Sequence, residues 1–411
     1  SSPDIAGEFS WEIFSATLLY SAFRIGEISD DIVSIDNALK WGFGWSKGPF
    51  ETWDLLGFEN TLSRMRSEGK SIPNWIIKMS NKRFRSFYKV LNGEECFYCP
   101  KKELYIPIVH SRNTLTFSMV KAKGGLIRKG WSASLLDMGD NVALVELHSV
   151  LKPELNPIDG SLIEMIYYAR HWVEQNNYKG LIISSSGPQF SAGANLNIIL
   201  NAAKNEKWDE IEKLTKNMQD VLQSLRYAPF PVIAAPFKLT LGGGFEIIGA
   251  CDKIVALGEL YCGLVEVGVG LIPGAGGTLR VISNLTKSYK SGLTLNFQVV
   301  QKAFETIGTA KFSMSASEAR KLGFLTKDDE IVLNKRHLLS RAKAVVLEMY
   351  DGYKIPEKES FRLPGTPGRL PIKSIIKSFL KKGKISEHDA FIGEKLSYVL
   401  TGGEKGGPLS K

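Results

Sequence analysis

Two glutamates with glycine-rich surroundings are the residues of this chain best suited to chemistry. Glu246 follows three successive glycines, and Glu266 lies further along the same stretch, Thr240–Arg280. Apolar residues flank both, and a carboxylate in such surroundings must be hydrogen-bonded or protonated. Two nearby carboxyl groups can hold their pKa values apart, which makes this pair a candidate acid and base. The alternative is that Glu246 only complements a helix N-terminus and Glu266 lies on a loop surface.

The substrate of these carboxyl groups must be positioned by two glycine-bearing corners, each a turn between a predicted strand and a predicted helix. Gly242 to Gly244 separate an apolar, β-rich run at 231–237 from a predicted helix, and the loop 187–196 follows a predicted buried strand at 179–186. Backbone without Cβ atoms can approach a ligand closely, and the first amides of a helix are free donors. Two such corners that each aim an amide at one carbonyl oxygen would form an oxyanion hole.

Four motifs in and around these corners resemble those of the enoyl-CoA hydratase (crotonase) superfamily. They are Phe190–Leu196, Leu241–Glu246, Gly263–Gly268 and Leu271–Thr278. The resemblance implies an α/β fold in which strand, strand, helix units form a crotonase-like β-β-α spiral. It also implies a CoA thioester as the substrate.

The same resemblance assigns roles to individual residues. It implies that the amides of Ala194 and Gly243 polarise the thioester carbonyl and that Glu246 and Glu266 hold one water. Glu246 would assist attack at C3, and Glu266 would deliver a proton to C2. Residues predicted to contact the substrate are Ala192, Asn195, Leu196 and Gly242. Many hydratases carry aspartate where this chain has Asn195, which puts local loop contacts in question rather than the chemistry.

Composition narrows the class of protein further. The chain of 411 residues carries a formal charge of +9, but its lysines and arginines are dispersed and no nucleic-acid motif occurs, so nucleic acid is not predicted as a partner. A polyanionic coenzyme A would itself attract basic residues, and Lys152 is a candidate for that contact. No run approaches the roughly 20 apolar residues that cross a bilayer, and no signal peptide is visible, which favours a cytoplasmic protein without membrane contact.

Cysteine and histidine spacing does not predict a metal site. The four cysteines fit a reducing compartment, and Cys96 and Cys99 form a C-x-x-C without a second pair, in what is predicted to be an exposed hairpin. Cys251 and Cys262 are predicted core residues. The histidines, to which no role is assigned, are His110, His148, His171, His337 and His388.

The first part of the chain has a helical pattern of its own. Residues 9–23 repeat apolar positions at three and four, and Gly42 and Gly44 follow a helix instead of the strand that a dinucleotide fingerprint needs. The segment resembles the C-terminal helical domain of 3-hydroxyacyl-CoA dehydrogenases. The nucleotide-binding half of such an enzyme, with its NAD site, is absent, so this chain alone is expected not to oxidise 3-hydroxyacyl-CoA with NAD. The resemblance implies the C-terminal portion of a longer bifunctional dehydrogenase and hydratase.

Four regions follow from these patterns. They are 1–75, the dehydrogenase-like helical domain; 76–130, a connector with a hairpin; 131–330, the crotonase-like catalytic core; and 331–411, a C-terminal helical region. Within the last two, Ser315 or Ser317 is a predicted helix cap, Gly323 a predicted stop, and the proline-containing segment 363–371 a linker. In this family the C-terminal helices often cover the acyl pocket or a neighbouring subunit, and a homotrimer or hexamer would fit.

The sequence therefore predicts an enoyl-CoA hydratase that adds water reversibly and syn to a trans-2-enoyl-CoA such as crotonyl-CoA. Its mechanism needs no metal and no cofactor beyond the coenzyme A of the substrate. Alternatives on the same scaffold are an enoyl-CoA isomerase and a CoA-thioester hydrolase, and a further one is a catalytically silent scaffold domain. Fatty-acid degradation and a short-chain route through crotonyl-CoA, as in some archaeal bifunctional enzymes, both fit.

Overall fold

The computed structural model describes residues 4–288 and 295–408 of the chain. Contacts between Cα atoms group the chain into two compact units. The first comprises residues 1–112 with 122–124, and the second comprises residues 113–121 with 125–411.

The first unit consists of helices followed by a small antiparallel sheet with the order β1-β2-β3. Its first two helices begin at side-chain caps, since the carboxylates of Asp4 and Asp31 accept hydrogen bonds from the amides of Gly7 and Ser34. The elements are α1 (Ile5–Phe23), α2 (Ile32–Phe43), α3 (Pro49–Leu56), α4 (Phe58–Ser67), α5 (Asn74–Asn81), β1 (Tyr88–Leu91), β2 (Glu94–Cys99) and β3 (Leu104–Pro107).

A cluster of aromatic side chains joins the helices and the sheet of this unit. Phe50 and Trp53 of α3 pack edge-on against Phe87, with ring centroids 5.1 and 5.3 Å apart, and Tyr98 of β2 stacks on Trp75. The predicted boundary at residue 75 is therefore wrong as a division between units, because strands beyond it complete the core of the helices before it.

The predicted exposure of Cys96 and Cys99 is also wrong. Both side chains are buried, and the two thiols are free. The physical reason is that β2 is the central strand of its sheet, paired with β1 on one side and β3 on the other.

The second unit is built on a sheet with the order β12-β10-β8-β7-β6-β5-β4, in which only the pairs β4·β5 and β5·β6 are antiparallel. A separate parallel pair, β9 with β11, carries part of the site. The strands are β4 (Leu126–Lys129), β5 (Ala133–Asp137), β6 (Val142–Leu147), β7 (Gly180–Ser185), β8 (Val232–Ala234), β9 (Lys238–Leu241), β10 (Lys253–Leu257), β11 (Leu260–Gly263), β12 (Glu330–Val332), β13 (Arg362–Leu363) and β14 (Gly407–Pro408).

Helices cover both faces of the main sheet, so its strands are apolar on both sides. This explains why every residue of β6 and β7 is buried. The helices are α6 (Phe117–Ala122), α7 (Gly160–Gln175), α8 (Leu196–Lys204), α9 (Trp208–Arg226), α10 (Gly243–Ala250), the 3-10 helix Glu266–Val269, α11 (Gly277–Ser288), α12 (Leu295–Gly308), α13 (Ala316–Leu322), α14 (Lys335–Tyr350), α15 (Gly365–Lys381) and α16 (Glu387–Leu400). The prediction of an α/β fold is confirmed.

The predicted boundary at residue 330 does not separate two units. β12 pairs in parallel with β10 at the sheet edge. Helix α14 buries Leu338, Ala342 and Val346 in the same apolar cluster as Ile182 of β7. Residues after 330 therefore complete the core that the preceding strands begin.

The predicted linker at 363–371 is largely helical, which corrects the sequence interpretation. Pro364 is the N-cap of α15, and Pro367 falls in the first turn. Amides in the first turn have no intrahelical acceptor, so proline removes no helical hydrogen bond there. Pro371 lies inside the helix. By contrast, the predicted cap and stop of α13 are confirmed: Ser315 accepts a hydrogen bond from the amide of Glu318, and Gly323 ends the helix in a left-handed conformation.

Throughout the described ranges, no helix has both the length and the apolar character that a bilayer crossing requires.

Candidate active site

The two glycine-bearing corners lie side by side in the second unit. The amide of Ser191 donates to the carbonyl of Leu239 at 2.9 Å, and the amide of Leu241 donates back to the carbonyl of Ser191 at 3.0 Å. This pairing continues the parallel bridge between Ser191 and Thr240. A Cβ atom on Gly244 would lie 2.9 Å from the carbonyl oxygen of Ser191, so glycine is needed for this approach.

The amides of Ala194 and Gly243 meet where the corners touch. The Ala194 nitrogen lies 3.8 Å from the position that a Cβ atom on Gly243 would take. Gly242 precedes α10 with φ 52°, which allows Gly243 to open the helix with an amide that has no intrahelical acceptor. In the loop, the amide of Ile158 donates to the carbonyl of Gly193, and the amide of Asn195 donates to the carbonyl of Ile158. The amide of Ala194 lies between these two hydrogen bonds. Within the described ranges, neither amide donates a hydrogen bond.

Glu246 is buried in the first turn of α10, with 6% of its surface exposed. Its Oε1 accepts hydrogen bonds from the amides of Ala275 at 2.7 Å and Gly277 at 2.9 Å. Burial raises the pKa of this carboxyl, while the two backbone donors lower it. Donors of this kind favour the ionised form of a carboxyl group. They come from a segment distant in the sequence, so Glu246 does more than complement the N-terminus of its own helix.

Glu266 stands at the start of its 3-10 helix and faces the same corner. Its Oε1 lies 3.1 Å from the position that a Cβ atom on Gly242 would take. Its Oε2 is buried, and no group among the described residues forms a hydrogen bond with it. Burial, followed by the nearby charge of Glu246, raises the pKa of Glu266 to about 8. The prediction that Glu266 could lie on a solvated loop surface does not fit this environment, which favours the protonated carboxyl group at neutral pH.

One cavity of about 330 Å³ collects these groups. Every predicted site residue except Lys152 lines it: Ala192, Ala194, Asn195, Leu196, Gly242, Gly243, Glu246 and Glu266. Lys152 is exposed and does not line the cavity, so its contact with coenzyme A stays a prediction. Asn195 is the N-cap of α8, where its Oδ1 accepts a hydrogen bond from the amide of Asn197. The asparagine thus serves as a helix cap and leaves the neighbouring amide of Ala194 in place.

Sequence reasoning missed two sets of residues around the carboxyl pair. The first set, Ala275 and Gly277, holds Glu246 through backbone amides, which no side-chain pattern could reveal. The second set is the apolar wall, in which Ile211, Leu214 and Met218 share one face of α9. Their spacing of three and four was a visible signal, since a half-exposed apolar stripe on a helix indicates a surface that another group covers.

No group of three or more histidine, cysteine, aspartate or glutamate side chains in residues 4–288 and 295–408 is arranged to hold a metal ion.

Comparison with known proteins agrees with this geometry. Residues 137–327 match the family model described as enoyl-CoA hydratase/isomerase. This chain therefore contains an enoyl-CoA hydratase/isomerase domain of the crotonase superfamily.

Relatives extend the similarity to nearly the whole chain. A Bacillus subtilis (strain 168) protein described as a probable 3-hydroxyacyl-CoA dehydrogenase is 40% identical over 98% of this chain and 50% of its own length. The fatty acid oxidation complex subunit alpha of Aliivibrio fischeri is 35% identical over 31% of this chain and 19% of its own length. The chain thus spans half or less of the length of these curated relatives.

Matches among solved structures include two enoyl-CoA hydratases. The enoyl-CoA hydratase of Bacillus anthracis is 25% identical, with a TM-score of 0.43, and the match covers 66% of this chain and 90% of that one. That of Bacillus halodurans is 18% identical, with a TM-score of 0.46, and the match covers 65% of this chain and 95% of that one.

Proposed function

We propose that this chain is an enoyl-CoA hydratase that adds water reversibly to trans-2-enoyl-CoA and forms 3-hydroxyacyl-CoA. The observation that carries the proposal is the unequal carboxyl pair: Glu246 is held by two amides, and Glu266 has an oxygen without a partner among the described residues. Both face a cavity that also receives the free amides of Ala194 and Gly243. A base, an acid and an oxyanion site therefore surround one space.

The reaction follows from these positions. The amides of Ala194 and Gly243 donate to the thioester oxygen and stabilise the negative charge that develops there. Ionised Glu246 takes a proton from a water molecule, whose oxygen bonds to C3 as the C2–C3 π bond opens. The electron pair of that bond takes the proton of Glu266 at C2. After product release one proton must return from Glu246 to Glu266 before the next turnover.

Two other reactions fit the scaffold less well. Isomerisation of an enoyl-CoA needs one group that moves a proton between carbons, so it does not require a second carboxyl group. Thioester hydrolysis would direct the water at the carbonyl carbon instead of C3. The presence of two carboxyl groups with different hydrogen-bond environments favours hydration over both reactions and over a silent scaffold.

Product analysis tests the assignment directly. Purified chain incubated with crotonyl-CoA in deuterated water should form 3-hydroxybutyryl-CoA with one deuterium at C2. Release of free CoA thiol would indicate a hydrolase, and conversion of 3-enoyl-CoA without hydration would indicate an isomerase. Absence of turnover with every enoyl-CoA, by a protein that still unfolds cooperatively, would indicate a scaffold.

The pH dependence of kcat/KM should report the proton on Glu266. Because Glu266 must be protonated, and its pKa is raised to about 8, kcat/KM for hydration should fall as the pH rises above 8. The kcat/KM for dehydration should fall over the same pH range, since both directions of the reaction need one proton on the pair Glu246 and Glu266. Rates measured from pH 6 to pH 10 check this, and Glu266→Gln should remove this fall from the residual activity. A rate that rises through pH 8 would contradict the assigned roles.

We also propose that the chain acts as the hydratase part of a bifunctional 3-hydroxyacyl-CoA dehydrogenase and enoyl-CoA hydratase. Support comes from the B. subtilis relative, whose description names a dehydrogenase although residues 137–327 of this chain match the hydratase/isomerase family. A shared acyl-CoA intermediate would connect the two reactions, because the product of hydration is the substrate of that dehydrogenase.

A further inference from the structure

The cavity continues away from the carboxyl pair along one face of α9. Met218 marks its inner end, because its terminal methyl carbon lies 3.2 Å from the Cβ position of Gly243. Leu214 and Ile211 follow toward the N-terminus of the helix and line the same cavity. Since an α-helix rises 1.5 Å per residue, the stripe from Met218 to Ile211 is roughly 10 Å long. That length exceeds the acyl group of crotonyl-CoA.

Other elements contribute further apolar residues to the cavity. Ile198 and Ile199 of α8, Ile163 of α7 and Val269 contribute to it. The one charged lining residue besides the two glutamates is Asp159, among the residues that the structure describes. Its carboxylate already accepts hydrogen bonds from the amide of Leu162, at the start of α7, and from the hydroxyl of Ser132. The space beyond the reacting carbons therefore suits a hydrocarbon.

Part of the cavity wall is open to solvent. Leu196, Leu214 and Val269 line the cavity, yet 44%, 43% and 54% of their surfaces are exposed. Large apolar side chains that both line a cavity and reach solvent provide a path along which a longer ligand can leave the interior.

From this geometry we propose that the chain acts on enoyl-CoA thioesters with medium or long acyl chains, of eight or more carbons, in preference to crotonyl-CoA. The proposal rests on the hydratase function proposed above. Ile211, Leu214 and Ile198 are the specificity-determining residues, because they contact the part of the acyl chain that crotonyl-CoA lacks. Each methylene buried against them should raise kcat/KM by up to roughly fourfold until the stripe ends.

Steady-state kinetics with trans-2-enoyl-CoA of four, eight and twelve carbons tests the preference. We expect kcat/KM to rise at least tenfold from four to eight carbons and to level off once the chain passes Ile211. Ile211→Trp should remove most of this rise, so that kcat/KM for the eight- and twelve-carbon substrates falls toward that for crotonyl-CoA. Ile198→Trp provides a second obstruction from α8, in case the first variant does not fold. Glu212→Trp, on the exposed side of α9, is the matched control and should change none of these values.

Binding separates the two proposals. Affinities of saturated acyl-CoA of the same lengths, measured by calorimetry, should rise with chain length whether or not the chain catalyses hydration. Rising affinity without turnover would overturn the proposed function and keep the acyl preference. Turnover with equal or falling kcat/KM from four to twelve carbons would overturn the preference and keep the function.

Discussion

Glu246→Gln should lower the rate of crotonyl-CoA hydration by roughly a hundred- to ten-thousandfold, the range expected for loss of a positioned acid or base. The glutamine oxygen can still accept the hydrogen bonds from Ala275 and Gly277, so the fold of the corner should persist. What is lost is the ability to take a proton from water. The loss should therefore appear in kcat, with little change in the affinity for saturated acyl-CoA.

Glu266→Gln should give a loss of the same order, because its amide cannot deliver the proton to C2. The double variant should be scarcely slower than either single one, since both residues serve one concerted proton transfer. Glu212→Gln, a solvent-exposed change on α9, is the control and should leave the rate unchanged. Unchanged hydration in both catalytic variants would end this assignment. If Glu246→Gln spared isomerisation while abolishing hydration, the two activities would be separated within one site.

Gly244→Ala is the second change with a large expected effect. The added Cβ atom would lie 2.9 Å from the carbonyl oxygen of Ser191 and 3.2 Å from its Cβ. Ser191 belongs to the opposite corner, whose backbone is tied to β9, so the two corners must move apart. Misplacing one oxyanion donor typically costs a hundred- to a thousandfold in kcat, and we expect a loss in that range.

The control for this prediction is another helical glycine. Gly42 of α2 has open space where a Cβ atom would lie, so Gly42→Ala should leave hydration unchanged. Crotonyl-CoA kinetics and thermal unfolding of both variants would check the pair. A Gly244→Ala enzyme that retained full activity would show that the contact between the corners is not needed to hold the two amides in place.

Local patterns predicted much of the fold because their causes are local. The apolar periodicity of 9–23 matches α1, and the buried strand predicted at 179–186 matches β7. The errors have two causes, which are packing against distant segments and the local positions of prolines in a helix. The strands after residue 75 pack into a helical core, and the proline segment 363–371 continues as a helix because its first prolines occupy positions without a hydrogen bond to lose.

The candidate site shows the same limit. The glycine corners and both glutamates could be identified from residue types, yet nothing in their spacing shows that Ser191 pairs with β9 or that Ala275 and Gly277 hold Glu246. These are backbone contacts across long stretches of sequence. The resemblance already implied which glutamate acts at C3 and which at C2, whereas the hydrogen-bond environment and burial of each carboxyl group could be derived only from the structure.

The placement of α14 and β12 has a consequence for any attempt to isolate the catalytic part. The family match ends at residue 327, before the edge strand Glu330–Val332 and before the helix that covers one face of the main sheet. A fragment cut at that point would present bare aliphatic strands to water and self-associate. The smallest autonomous piece must therefore run at least through Tyr350, and expression trials should place their termini by the packing of the sheet instead of by family boundaries.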